Sequence, residues 1–179
     1  MIEKTLVVLK PDAVQRNIIG QIITIFEEAT LRVTEAKMLS ATGEFIRRHY
    51  PSDVEYLTNL GNKVTTSYAA AGRDVVAQYG TDDKLSIGRA ILDSLVGYMT
   101  SGPVMALCIE GSNAIRAVRK LVGFTLPLDA APGTIRARFS VDSSESADEE
   151  KRPLYNLVHA SGNPEEAAYE LGLWFGEAV

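Results

Sequence analysis

The 179-residue chain contains two histidines, and one of them, His159, stands where a reactive imidazole would stand. It lies in NLVHASGNPEE, at the end of a short apolar stretch and just before helix-start signals. Backbone N–H groups and the helix dipole converge at such a point and favour anions. One ring nitrogen of a histidine can act as a nucleophile when a carboxylate holds the other. Glu170, on the following predicted helix, is the candidate for that hold. A structural histidine at a strand end is the competing reading, and the local context leaves both open.

Chemistry on an anion needs positive charge, and the chain as a whole does not offer it. Lys and Arg number 18 against 23 Asp and Glu, a net charge of -5. That balance gives no general pull on nucleic acid or on an anionic membrane, so phosphates must be met by a local basic cluster. No G-x-x-x-x-G-K-[ST] segment occurs, which excludes a P-loop kinase. Hydrophobic residues at 46% and charged residues at 23% are ordinary for a globular protein. The length fits one domain with a sizeable core. No apolar run approaches the roughly 20 residues that span a bilayer. The start, MIEKTLVVLKPD, carries no signal-peptide pattern. A single cysteine, Cys108, cannot form an internal disulfide, so a reducing cytoplasm is the expected location.

Several elements must position these groups. KTLVVLK (4–10) reads as a buried strand halted at Pro11. Ile19, Ile22, Ile23 and Phe26 give 18–30 a helical stripe. LRVTEAKMLS (31–40) alternates as a second strand, and TGEFIRRHY (42–50) reads as a short helix capped by Thr42. Residues 51–86 mix Gly61, Gly72 and Gly80 with no clean period and are expected to form short helices and loops, too poor in apolar residues for a core of their own. Residues 87–100 regain a helical pattern. PVMALCI (103–109) is a third strand, followed by a helix that Ser112 can cap and Gly123 can end. Residues 142–152, DSSESADEEKR, read as a mobile polar loop. NLVHA (156–160) is a fourth strand. The last helix has Asn163 as cap, Pro164 at its first position and Glu166 three after the cap, with Ala167, Leu171, Trp174 and Phe175 as its buried stripe. The order strand, helix, strand, helices, strand, helix, strand is that of an α/β (α+β) ferredoxin-like sandwich with a four-stranded antiparallel sheet. That fold hosts many functions, so function must come from the site.

Four segments carry a resemblance. TLVVLKPDAVQRNIIGQII, YMTSGPVMALCIEG, VRKLVGFTLPLDAAPGTIRARF and NLVHASGNPEEA resemble nucleoside diphosphate kinases, in the family's order. KPD, SGPV, APGTIR and the Asn-x-x-His pattern are specific in combination. The resemblance covers most of the chain apart from about 51–90 and 142–153, which read as insertions in a single kinase domain over 1–179, as in a longer-insert subgroup of the family. It implies an enzyme that moves the γ-phosphate of a nucleoside triphosphate, typically ATP, to a nucleoside diphosphate. The implied route is ping-pong through a phosphohistidine, and the role is upkeep of triphosphate pools.

By the same resemblance His159 is the phosphate carrier and Glu170 the carboxylate that orients it. Lys10 and Asn156 correspond to contacts with the ribose and phosphate region, and Arg119, Thr125 and Arg136 to the phosphate-binding set. Tyr50 matches a tyrosine near the catalytic histidine. Ile91 stands where a base-stacking phenylalanine is usual, so a tyrosine of the first insertion (Tyr56, Tyr68 or Tyr79) is a candidate replacement. The family uses magnesium, Mg2+, with the nucleotide; here it is expected through the phosphates, with no protein metal ligand. Gly162 replaces an aspartate often found there, which leaves any part of that aspartate in organising magnesium without a counterpart. Family members assemble as tetramers or hexamers built from a dimer. Expected partners are therefore nucleoside tri- and diphosphates and further copies of the chain, with no membrane and no nucleic acid. One alternative is a nucleotide-binding regulatory protein on this fold with weak turnover. A nucleic-acid module ranks last, because the predicted strands hold almost no aromatics.

Overall fold

The chain divides into two compact units, Met1–Ala41 with Met99–Val179 and Thr42–Tyr98. The computed structural model describes residues 2–176. Strands β1 to β4 cover Ile2–Leu9, Arg32–Leu39, Val104–Ser112 and Val158–Ala160. Helices α1 to α10 cover Pro11–Gln15, Ile19–Glu28, Gly43–His49, Val54–Ala70, Val75–Tyr79, Lys84–Met99, Ala114–Val122, Ile135–Phe139, Ser144–Glu149 and Pro164–Phe175.

In the first unit the four strands form one sheet in the order β2-β3-β1-β4, with every pairing antiparallel. This is the expected four-stranded antiparallel sheet. The β1 run Thr5–Leu9 is fully buried, as suits a strand with a neighbour on each edge and a layer on each face. Val7 and Leu9 of β1, Leu107 and Ile109 of β3, and Val158 and Ala160 of β4 turn to one face. There they pack with Ile22 and Phe26 of α2 and Val118 and Val122 of α7. The register pairs Val8 with His159. Side chains alternate across a strand, so His159 points to the other face, toward α10.

Several expectations are corrected. Ser112 ends β3, and α7 is preceded by Asn113 in a left-handed conformation, φ 52°, with no side-chain cap. Asparagine tolerates that conformation better than most residues, and it turns the chain sharply out of the strand. Segment 142–152 is not a loop throughout. Ser143 accepts from the Ser146 N–H at 3.3 Å and starts α9, and the Arg152 fork closes on Asp142 at 2.7 and 2.8 Å. A cap and a bidentate ion pair here replace the apolar stripe that a helix usually shows. In α10 the buried positions are Ala167, Glu170, Leu173 and Trp174, with Leu171 and Phe175 only half-buried. A carboxylate thus occupies part of the inner stripe. The Asn163 cap holds as expected, its Oδ1 accepting from Glu166 N–H at 2.8 Å.

The second unit is more regular than its sequence suggests. Thr42 caps α3, accepting from the Phe45 N–H at 3.2 Å. Where short pieces are expected, α4 runs for 17 residues. Its Gly61 does not break it. A Cβ there would lie 2.0 Å from the Lys84 carbonyl oxygen, and one on Gly88 would lie 2.0 Å from that of Leu57. The two glycines bring the backbones of α4 and α6 into direct contact. Tyr68 is buried, edge-on to Tyr79 with centroids 6.0 Å apart, and the Arg73 guanidinium lies 4.3 Å from its ring centre. Its ring is used in packing, which removes Tyr68 from the candidate stacking surfaces.

Candidate active site

The short strand β4, the residue Ser161 after it and the middle of α10 carry the centre. His159 Nε2 lies 2.8 Å from Glu170 Oε1. Ser161 Oγ donates to Glu170 Oε2 at 2.5 Å, and the Leu6 N–H reaches Ser161 Oγ at 3.3 Å. The chain of donors fixes the proton positions. A backbone N–H can only donate, so Ser161 accepts from Leu6 and spends its own proton on Glu170. Glu170 is then the acceptor at the end of the chain, and His159 donates to it from Nε2. The lone pair resides on Nδ1. Burial, then the nearby charges of Lys10 and Arg136, lowers the His159 pKa to about 3; Glu166 opposes this and Arg119 adds to it. The imidazole is therefore neutral near pH 7, which a nucleophile requires.

Positive charge converges on the same place. Lys10 follows β1, is buried, and donates from Nζ to Asn156 Oδ1 at 2.6 Å. Burial, then the Arg136 charge, lowers its pKa to about 7, with Asp12 acting in the opposite direction. Arg136 of α8 is also buried, and its guanidinium braces the chain before His159. It donates to the carbonyls of Asn156 at 3.0 Å, Gly123 at 2.8 Å and Val158 at 2.6 Å. APGTIR builds the turn that aims it, with Gly133 at φ 89° and Thr134 capping α8. Arg119 of α7 is exposed, and its Nη1 reaches the Ala160 carbonyl at 3.5 Å. Thr125 is exposed, and its carbonyl accepts from Asn156 Nδ2 at 3.1 Å.

Between Asn156 and His159 the backbone is strained. Leu157 has φ 67°, and the Val158 N–H closes back onto the Asn156 carbonyl at 2.7 Å. This tight three-residue turn is rare for a bulky side chain and costs on the order of 1–3 kcal/mol. Asp12 Oδ2 accepts the Leu157 N–H at 3.1 Å, and the Leu157 carbonyl accepts the Lys10 N–H at 2.8 Å.

The family model for nucleoside diphosphate kinase matches residues 3–65 and 79–179. The chain belongs to the nucleoside diphosphate kinase family. A nucleoside diphosphate kinase of Pyrobaculum aerophilum is 49% identical over 176 residues, covering 98% of this chain and 96% of that protein. One from a Roseiflexus species is 36% identical over 173 residues, 97% of this chain and 87% of the other. The crystal structure of an NDP kinase from Pyrobaculum aerophilum superimposes with a TM-score of 0.93 at 47% identity, covering 98% and 96% of the two chains. A transition-state mimic of the Borrelia burgdorferi enzyme, with bound vanadate and ADP, gives a TM-score of 0.75 at 32% identity over 97% and 87%. Membership makes this chain an enzyme, a kinase that transfers phosphate between nucleotides, on the ferredoxin-like sheet those structures share. No helix among the described residues is long and apolar enough to cross a membrane.

Of the family-type residues, His159, Glu170, Lys10, Asn156, Arg136, Arg119 and Thr125 all lie in the first unit and link up through the bonds above. Tyr50 and Ile91 belong to the second. Tyr50 is buried at the end of α3 with its ring edge-on to His49, 4.6 Å between centroids, and Ile91 is half-buried on α6. Sequence reasoning assigned nothing to Ser161 or Asp12. Ser161, two residues after a candidate nucleophile, was the available signal for a second donor on the carboxylate. For Asp12 the signal was its place in KPD.

Proposed function

We propose that His159 carries the phosphate in a ping-pong exchange between nucleoside tri- and diphosphates. The Nδ1 lone pair attacks the γ-phosphorus. The bond from that phosphorus to the bridging oxygen breaks, and its electron pair leaves with the nucleoside diphosphate. A terminal oxygen of the acceptor diphosphate then attacks the phosphohistidine, and the N–P bond returns its electrons to Nδ1. The imidazole gains positive charge as it attacks, and Glu170, on Nε2–H, faces that charge. Phosphoryl transfer is chiefly positioning and neutralisation of phosphate oxygens, a task for Lys10, Arg119 and Arg136. Asn156 and Thr125 complete the phosphate and ribose side, and Tyr50 and Ile91 are carried as further nucleotide contacts on the family resemblance alone.

The observation that carries this reading is the chain Leu6–Ser161–Glu170–His159, which leaves a neutral imidazole with its lone pair on Nδ1. Cations gather around His159, and both oxygens of Glu170 are engaged. Such a donor set fits magnesium carried in on phosphate oxygens. Bound there, the ion would neutralise phosphate charge. The reading extends to one kinase domain over 1–179 with insertions near 51–90 and 142–153, to a cytoplasmic homo-oligomer (tetramer or hexamer), and to upkeep of triphosphate pools. The test is incubation with γ-labelled ATP. An acid-labile, base-stable phosphoenzyme is expected in the wild type and none in His159→Ala, whose circular dichroism stays native. Equal labelling of the variant would refute the assignment.

A further inference from the structure

A regular strand through Asn156–His159 would put Leu157 and His159 on the same face, because alternate residues share a face. The structure does otherwise. Leu157 is fully buried in the same core cluster as its neighbour Val158, while His159 points to the opposite face. The positive φ at Leu157 makes this possible. It sends a large side chain into the core and away from the imidazole's face. It also leaves Asn156 where Lys10 Nζ and the Thr125 carbonyl meet its side chain. The site thus depends on one residue keeping a conformation that leucine disfavours.

Three groups hold that conformation. Arg136 takes the carbonyls on either side of Leu157, those of Asn156 and Val158. The Lys10 backbone N–H takes the carbonyl of Leu157 itself. The remaining group, the Leu157 N–H, goes to Asp12 Oδ2 at 3.1 Å. This is the one of the three clamps made by a carboxylate, and it spans 145 positions of sequence. The other oxygen of Asp12, Oδ1, is buried and has no hydrogen-bond partner. Asp12 is half-buried, but a carboxylate oxygen shut away without a partner is a costly way to hold one amide, and such an atom calls for an explanation.

We propose that Asp12 is a positioning residue for phosphoryl transfer: by accepting the Leu157 N–H it locks the strained turn that sets Asn156 and His159 in their reacting places. It touches neither the imidazole nor the phosphate. A displacement of about 1 Å at a reacting atom costs roughly 100-fold in rate, so a loosened turn should be read in the rate of chemistry.

The inference rests on His159 as the phosphate carrier, and the experiment separates the two. Wild type, Asp12→Asn and Asp12→Leu are mixed with γ-labelled ATP in a rapid-quench apparatus. The end-point of labelling counts competent sites, and the rate gives chemistry per site. Both are read across a pH series, because Asp12 helps to keep Lys10 protonated and its removal lowers the Lys10 pKa further; rates are compared on the low-pH plateau of each protein. Asp12→Leu keeps the shape, loses the acceptor, and removes the orphaned oxygen, so it should fold. Its rate per site should fall roughly 10- to 100-fold. Asp12→Asn keeps an acceptor oxygen and should return to within about threefold of wild type, less than the loss of one net hydrogen bond. A merely structural role would lower the end-point or the melting temperature and leave the rate per site unchanged, which would overturn the proposal. So would an Asn variant as slow as the Leu variant, since the charge and not the hydrogen bond would then matter. Failure of the wild type itself to label would strike at His159 instead.

Discussion

Two carboxylates of the first unit make an instructive pair. Asp142 receives the Arg152 fork at 2.7 and 2.8 Å and the Tyr155 N–H at 2.7 Å. Glu170 receives His159 Nε2 at 2.8 Å and Ser161 Oγ at 2.5 Å. Burial acts to raise the Asp142 carboxyl, but the Arg152 and Tyr155 hydrogen bonds and the Arg152 charge outweigh it and hold it below its ordinary value. The Asp142 hydrogen bond leads in raising Arg152 above its own ordinary range. That pair has neutralised itself. Glu170 is held by two donors that carry no formal charge, His159 Nε2 and Ser161 Oγ, where Asp142 meets a guanidinium. Satisfying a carboxylate with an arginine makes a staple, whereas satisfying one with neutral donors keeps a charge ready for use.

Substitutions on the two sides should therefore differ in kind. The largest effect is expected from Glu170→Gln, which keeps size and an acceptor but deletes the charge. The rate of phosphoenzyme formation should fall by roughly 100-fold or more, with the melting temperature little changed. A rate near wild type would erase the contrast. Next come Arg119→Lys and Arg136→Lys, which keep the charge and lose the planar fork. Each should lower kcat about tenfold, the worth of one charge-assisted hydrogen bond. Arg136→Lys should also lower the melting temperature, because three carbonyls share its guanidinium. Unchanged steady-state kinetics in both would remove the arginines from the phosphate set. The smallest effect belongs to Arg152→Ala. It should cost about 1 kcal/mol, a shift of about 2–4 °C in calorimetry, with nucleotide exchange unaltered. A drop in exchange would show that the Asp142 side also serves the chemistry.

Much of the sheet was legible because buried strands announce themselves: KTLVVLK and PVMALCI are short apolar runs bounded by prolines. The start of α10 was equally plain, since Asn163, Pro164 and Glu166 are local signals that act within one turn. The pairing of His159 with Glu170 could be read from a strand end followed by a helix. The Ser161 link could not, because its donor, Leu6, is 155 positions away. Nor could Leu157, whose type argues against the conformation it adopts. Segment 54–70 conceals its long helix because glycine usually punctuates a chain, whereas Gly61 serves a helix-to-helix contact. Segment 142–152 conceals its helix because that helix buries only Ala147 and so displays no apolar period.

The glycine contact between α4 and α6 has a consequence for how this sequence can drift. Every single-base change in a glycine codon that alters the residue introduces a Cβ. At Gly61 or Gly88 that atom would sit 2.0 Å from a main-chain oxygen of the opposite helix, far inside contact distance. A flexible side chain could swing aside, but a carbonyl fixed in a helix cannot. Neither position has a neighbouring sequence to step to without prising the helices apart. Exposed neighbours such as Asn62 and Lys63 meet no such barrier. Within a segment that is otherwise open to substitution, these two glycines should be the slowest sites to change.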